Sequence, residues 1–212
     1  MKIEALHEFH DPEFAQAWAD KFVPTPDRID LFSIITNELN SHGAIKILEL
    51  GIGPGFLAEY ILGKMPEISY EGLDISKPML DIAKNRNYMS EGRISFTEAD
   101  LVNEDWTVKV KSRPDAIVTT WALHDLFTER NIAEVYQSVY NLLPENGLFL
   151  NGDFVKPEES RVEYEGGRIK PSIHIELLEK IGFQWIKMIK EFEKDVENPT
   201  TANNYSCFKA VK

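Results

Sequence analysis

The sequence predicts an α/β fold: a doubly wound, mostly parallel seven-stranded sheet with helices on both faces. Three observations carry that expectation. From residue 44 onward short apolar runs alternate with amphipathic helical stretches, the pattern of βαβ units around a parallel sheet. The first run opens directly into a glycine-rich turn, Gly51, Gly53 and Gly55, ahead of a helix. Successive strand ends then carry acids, Glu49, Asp74 and Asp100, separated by 25 and 26 residues, about one strand–helix repeat each.

Two helices precede the alternating region. Phe14, Trp18 and Phe22 recur every four residues and share one helical face, and Pro24 breaks the run. Thr25 and Pro26 then read as an N-cap with proline in the first turn, Ile29, Phe32, Ile35 and Leu39 continue as a stripe, and Gly43 ends it. Residues 45–50 form the first strand, and 56–62 a helix closed by Gly63 and Pro66. Residues 68–73 are the second strand, and Ser76 caps a helix through Met79, Leu80, Ile82 and Ala83. Strands follow at 94–99 and 116–120. A long helix over 128–143 then stops at Pro144 to Gly147, and a fifth strand spans 148–154. The polar stretch 156–170, with a Gly166–Gly167 hinge, reads as a loop long enough to serve as a lid or binding element. A helix over 171–181 ends at Gly182, and 183–192 and 205–211 are the last pair of strands, joined by turn formers over 193–204. The expected organisation is one domain over 1–212. Within it, 1–43 is a helical cover or lid, 44–155 the ligand-binding core, and 156–212 the acceptor-side loop, helix and final strands.

Composition bounds the function. At 212 residues the chain can bury roughly 70% of the surface it exposes when unfolded. Hydrophobic residues at 43% and charged residues at 27% exclude wholesale disorder. A net charge of -12, from 23 basic and 35 acidic residues, repels phosphate backbones, and no basic patch offsets it, so no nucleic-acid partner is expected. Cys207 is the lone cysteine, which excludes an internal disulfide or a thiolate metal cluster. His7, His10, His42 and His174 show no metal spacing, so no metal is expected. The opening residues lack the apolar run of a signal peptide, and no stretch is long enough to span a membrane. The expectation is a soluble, cytoplasmic protein.

The glycine turn carries the chemistry. Glycines there let the backbone turn sharply and approach a ligand with no Cβ in the way. In an open parallel sheet, ligands bind beyond the carboxyl ends of the strands, near the switch in strand order. The dinucleotide fingerprint fails because Phe56 stands at the third glycine's position, and no Gly-Lys-Ser/Thr follows to make a phosphate loop. An acid, Glu49, two residues before the turn suits a cationic ligand group better than a pyrophosphate. Ionised carboxylates are pure acceptors, so the acids at the three strand ends suit ribose hydroxyls and an exocyclic amine.

These segments resemble the class I S-adenosylmethionine-dependent methyltransferases, whose Rossmann-like fold matches the predicted sheet. The resemblance runs in order over residues 45–154, through ILELGIGPG, LDISKPMLDIA, EADL, DAIVTTWALHDL and LLPENGLFLNGDF. It implies S-adenosyl-L-methionine as cofactor. Glu49 with the backbone of Gly51, Gly53 and Gly55 would hold the methionine part, and Asp74 both ribose hydroxyls. Ile75 and Met79 would pack on the adenine, Asp100 and the Leu101 backbone would read its amino edge, and Trp121 would line the sulfonium end. The penultimate turn departs from the family's Pro-Gly-Gly, reading Pro144-Glu145-Asn146-Gly147.

The implied reaction is an in-line methyl transfer to a bound nucleophile. His124, a few residues after the fourth strand, is the candidate general base, its near-neutral pKa suiting that task. Asp125 beside it reads as the start of a turn. Trp18, Phe22, Asp153, Arg161 and Arg168 are candidate acceptor-binding residues. The place where base-modifying relatives carry an Asn/Asp-Pro-Pro-Tyr/Phe run reads Thr119-Thr120-Trp121-Ala122 here, which favours a small-molecule acceptor. Two rivals stay open: a non-catalytic or atypical user of the same cofactor, and an NAD(P)-dependent oxidoreductase on a similar sheet.

Overall fold

Most helices begin where a side chain can accept one of the first free backbone N–H groups. In the computed structural model, which describes residues 8–22, 24–90, 92–164, 166–192 and 204–212, α1 (Pro12–Lys21) starts at Asp11, whose carboxylate accepts from the Phe14 N–H at 2.8 Å. Helix α2 (Pro26–His42) starts at Thr25 and ends at Gly43, whose φ of 75° closes the last turn in the left-handed region. Both have proline in the first turn, where no amide donor is needed.

The alternating region then forms as its texture dictates: β1 (Lys46–Leu50), α3 (Phe56–Lys64), β2 (Ser69–Asp74), α4 (Lys77–Arg86), β3 (Ile94–Glu98), β4 (Ala116–Thr120), α5 (Glu129–Leu142) and β5 (Leu148–Phe154). Helix α6 (Pro171–Ile181) and strands β6 (Gln184–Phe192) and β7 (Tyr205–Val211) complete it. Helix α3 runs through Gly63 to Lys64 and is capped at Met65. Gly63 has no positive φ and so does not end the helix as expected from its type alone. The turn-rich connection expected over 193–204 lies outside the described residues up to Asn204.

All seven strands join one sheet in the order β3-β2-β1-β4-β5-β7-β6. Strands β3, β2, β1, β4 and β5 are mutually parallel, while β7 runs antiparallel to both β5 and β6. The sheet is therefore mixed at one end. Alternation along each strand feeds two cores. Ile47, Tyr70, Val118 and Leu150 face α2, α3 and α4. Leu48, Leu73, Ile117 and Phe149 face α5 and α6. The centre of the sheet is covered on both sides, which fixes the register of its inner strands.

Leu31 pins α2 onto that sheet beside the site. It is fully buried, and a Cβ at Gly152 of β5 would come within 2.8 Å of its Cδ2. Leu31→Ala should cost about 2–5 kcal/mol in chemical denaturation. A loss of only about 0.5 kcal/mol, the range of surface changes, would contradict this packing.

Candidate functional site

Strand β1 ends against β2, and its last residues are turned by hydrogen bonds to one carbonyl. The Gly51 and Ile52 N–H groups both donate to the Leu73 carbonyl, at 2.8 and 3.0 Å. Gly51 has φ 69°, and a Cβ there would lie 2.4 Å from the Ala122 Cβ. Gly53, at φ 52°, donates its N–H to the Asp74 Oδ2 at 2.8 Å. The other Asp74 oxygen accepts from the Ser76 N–H at 2.9 Å. One carboxylate thus ties the glycine turn to the head of α4. A Cβ on Gly53 would meet nothing within 4 Å, so its backbone borders open space. Gly55 serves packing instead: an added Cβ would strike the Asn87 Nδ2 at 2.6 Å and crowd Ala83 on α4.

A cleft opens beyond these strand ends. Gly51, Gly53 and Trp121 form one wall, Asp74, Ile75 and Met79 a second, and Asp100 and Leu101 a third. Phe9 and Trp18 cover it from the N-terminal side. The Ser76 hydroxyl donates to the Phe9 carbonyl and accepts from the Met79 N–H, so the cover is tied to the residue that caps α4. Asp100 turns its carboxylate toward the following loop, accepting from Val102 N–H at 2.8 Å and from the Asn103 amide groups. Burial works against its charge, yet these bonds prevail and hold its pKa below the usual carboxylate value. At Asp74 burial prevails instead, and its pKa is raised.

Eight of the ten residues expected to hold the cofactor line this cleft; Glu49 and Gly55 do not. Glu49 lies inside the sheet face, 1% exposed, accepting from the Tyr70 hydroxyl at 2.7 Å. Burial pushes its pKa up to about 8, against the Tyr70 bond and with the nearby Asp74 charge. Its surroundings therefore disfavour the charged form, where a carboxylate aimed at the glycine turn is expected from the sequence.

His124 sits in a 3-10 turn, Leu123–Leu126, that the sequence did not predict. Four-residue turns carry no periodic signal. Asp153 on β5 grips it twice: Oδ2 accepts from the His124 backbone N–H at 2.9 Å, and Oδ1 lies 2.7 Å from Nδ1. The Phe154 N–H also donates to Oδ1, at 2.8 Å. Asp153 is 1% exposed, so it supports the histidine and is not the acceptor-facing residue expected. With Nδ1 bonded to a carboxylate, the proton of neutral His124 resides there and Nε2 carries the lone pair. Asp125, read as a turn residue, belongs to that turn and also places Oδ1 3.3 Å from Nε2 and lines the cleft. Phe154 packs edge-on against the imidazole, 4.8 Å between centroids.

The remaining candidates divide. Trp18 lines the cleft, while Phe22 stacks behind it at 4.8 Å and reaches Trp121 at 6.4 Å. Arg161 is exposed and is not brought to the cleft. Arg168 is buried with its guanidinium 4.5 Å from the Phe154 ring and is not among the residues lining the cleft. His174 is buried in a structural contact with the Tyr136 hydroxyl at 2.7 Å; His7 lies outside the described residues. Sequence reading missed Arg28, whose guanidinium lies 3.9 Å from the Phe22 ring centroid and 5.0 Å from that of Trp121. Its place in the largely exposed first turn of α2 gives no local sign of that contact.

Residues 47–147 match the family model of a methyltransferase domain. The chain is 33% identical over 110 residues to a malonyl-[acyl-carrier protein] O-methyltransferase of Brevibacillus brevis, covering 50% of this chain and 39% of that protein. It is 23% identical over 190 residues to a release factor glutamine methyltransferase of Bacteroides thetaiotaomicron, covering 90% of this chain and 63% of that one. The chain thus spans less than two thirds of each relative's length. Human N-acetylserotonin methyltransferase in complex with SAM shares the fold, with a TM-score of 0.67, 17% identity, 99% of this chain covered and 58% of the other. No described helix is long and apolar enough to cross a membrane.

Two outcomes test the His124 geometry. Burial depresses its basicity, but the Asp153 charge and hydrogen bond and the Asp125 charge outweigh it, leaving the pKa above the ordinary 6.5. A raised folded value means the pair stabilises the fold below the ordinary pKa and loses that contribution as pH rises through the folded one. By NMR, His124 should titrate above 6.5 in the wild type and below it in Asp153→Asn, where burial acts unopposed by that charge. An unchanged titration would break the pair. Separately, a Cβ on Gly167 would fall 1.6 Å from the His124 carbonyl oxygen. Gly167→Ala should therefore displace the turn and shift the His124 resonances, and an unperturbed spectrum would contradict that contact.

Proposed function

We propose that this chain, whose residues 47–147 match the family model of a methyltransferase domain, transfers a methyl group from S-adenosylmethionine to a small-molecule acceptor. The observation that carries the reading is the cleft itself. Its acids, apolar walls and open glycine backbone meet at the carboxyl ends of β1, β2 and β3, beside a base-poised histidine.

The residues fit the cofactor's chemistry. Gly53 borders open space that a nucleoside-linked amino acid can fill without meeting a Cβ. Asp74 keeps acceptor capacity beyond its two backbone bonds, because each carboxylate oxygen has two lone pairs. Ile75, Met79 and Leu101 offer apolar surface for a planar base, and Asp100 stands at its edge. Bound there, S-adenosylmethionine supplies an electrophilic methyl group on a sulfonium, a leaving group that needs no further activation. What remains for the protein is alignment, water exclusion and the acceptor's proton.

His124 takes that proton at Nε2. Asp153 fixes the Nδ1–H tautomer and stabilises the cation that forms, and Asp125 meets the newly protonated nitrogen. The cover formed by Phe9, Trp18 and α1 dries the cleft and narrows the approach to it. A narrow, aromatic approach supports an acceptor of modest size. The helical cover before residue 44 and the stretch after residue 155 act as the acceptor side of the domain.

Asp74→Ala removes hydrogen bonds of a charged acceptor, each worth about 1.5–3 kcal/mol. Calorimetry should show S-adenosylhomocysteine binding weakened at least about tenfold, and unchanged affinity would sink the ribose assignment. For His124→Ala, turnover should fall by about 10²–10⁴-fold with cofactor affinity preserved. Asp153→Asn should move the acid limb of the rate profile to lower pH, because catalysis needs neutral His124 and the variant lowers its pKa. Full activity across pH in His124→Ala would remove it as the base.

A further inference from the structure

The geometry points to a carboxylate on the acceptor, seated by Arg28 together with the Trp121 indole N–H and the Tyr205 hydroxyl. This rests on the methyltransferase reading and names the substrate class it leaves open.

Arg28 is half-buried, yet among the described residues its guanidinium makes no hydrogen bond and no ion pair. Its contacts are with the rings of Phe22 and Trp121, which attract the cation while leaving its N–H donors uncommitted. The adjacent acids do not take them: Asp30 pairs with Lys190 at 3.5 Å, and Asp27 forms no bridge among the described residues. Burial lowers the pKa of Arg28, with the nearby Tyr205 acting the other way.

Two further donors lie next to it. The Trp121 Nε1 and the Tyr205 hydroxyl are buried and have no partner among the described residues, although such groups in protein interiors are nearly always bonded. The two rings are in edge contact, 5.5 Å between centroids. Burial, with the charges of Asp27 and Asp30, raises the Tyr205 pKa, so its phenol remains a donor. Three donor groups and no committed acceptor therefore meet around one indole. That complement matches a carboxylate, which accepts in several directions and pairs with guanidinium in its plane.

The same rings lead to the base. Tyr205 packs on Phe154 at 6.2 Å, and Phe154 on His124 at 4.8 Å. Ring contacts thus connect the donors at Arg28 to His124, and the Trp121 indole among them also lines the cofactor cleft. Arg168, named with Arg161 as an acceptor-binding candidate in the sequence, instead lies over the Phe154 ring.

The test uses 3- and 4-hydroxybenzoate, each beside its neutral carboxamide, titrated by calorimetry into the full chain saturated with S-adenosylhomocysteine. The acids should bind about tenfold to a hundredfold more tightly than the amides. Arg28→Gln should abolish that preference and leave S-adenosylhomocysteine affinity unchanged, while Arg28→Lys should recover part of it. Equal binding of acid and amide, binding of neither, or a preference surviving in Arg28→Gln overturns the proposal. So does a loss of S-adenosylhomocysteine affinity in both Arg28 variants, since Arg28 would then hold the cofactor's own carboxylate. Failure of the wild type to bind S-adenosylhomocysteine is a separate result, and it removes the methyltransferase reading beneath both.

Discussion

The site depends on one topological constraint: the chain reverses its direction of winding between β1 and β4. From β1 it passes through α3 to β2 on one face, and from β4 through α5 to β5 on the other. The two connections leave the sheet in opposite directions, so a crevice must open between the carboxyl ends of β1 and β4. Both sides of it are built by unusual backbone. Gly51 turns at positive φ within reach of Ala122, and Trp121 itself takes φ 49°, rare for a bulky residue. Its N–H donates to the Gly152 carbonyl at 2.9 Å, which anchors that strained turn to β5. The indole can occupy the crevice because its backbone is held in this conformation.

The acids around the crevice resolve their charge in three ways, and each suits a different task. Asp74 spends its oxygens on backbone N–H groups and so sets the shape of the glycine turn. Asp153 shares a charge with His124, trading desolvation for a hydrogen-bonded pair that fixes a tautomer. Glu49 has only a phenol for company and is pushed toward its neutral form. A net charge of -12 therefore says little about the cleft, where local partners decide which acids are ionised.

Strong local signals made most of the fold legible. Thr25, Ser76 and Thr128 cap α2, α4 and α5 as side-chain acceptors, and Gly43 and Gly182 close α2 and α6 at positive φ. The continuous apolar run of β4 marks a strand covered on both faces. The site was legible where it follows chain order: Gly51, Gly53, Asp74 and Asp100 sit at successive strand ends. It failed where only tertiary contact decides. Glu49 is close to the glycine turn in sequence, but strand alternation turns it onto Tyr70. Asp153 and His124 lie 29 residues apart and meet because β5 pairs with β4. Arg28 on α2 meets Trp121 at the end of β4, a contact that no spacing encodes.

The central claim is that this crevice takes S-adenosylmethionine and not a dinucleotide. Calorimetric titration of the wild-type protein with S-adenosylhomocysteine, run beside NAD, tests it most directly. Saturable one-to-one binding of S-adenosylhomocysteine and none of NAD is the expected result. Binding of NAD in its place, or of neither to protein that mass spectrometry shows to be ligand-free, would contradict it.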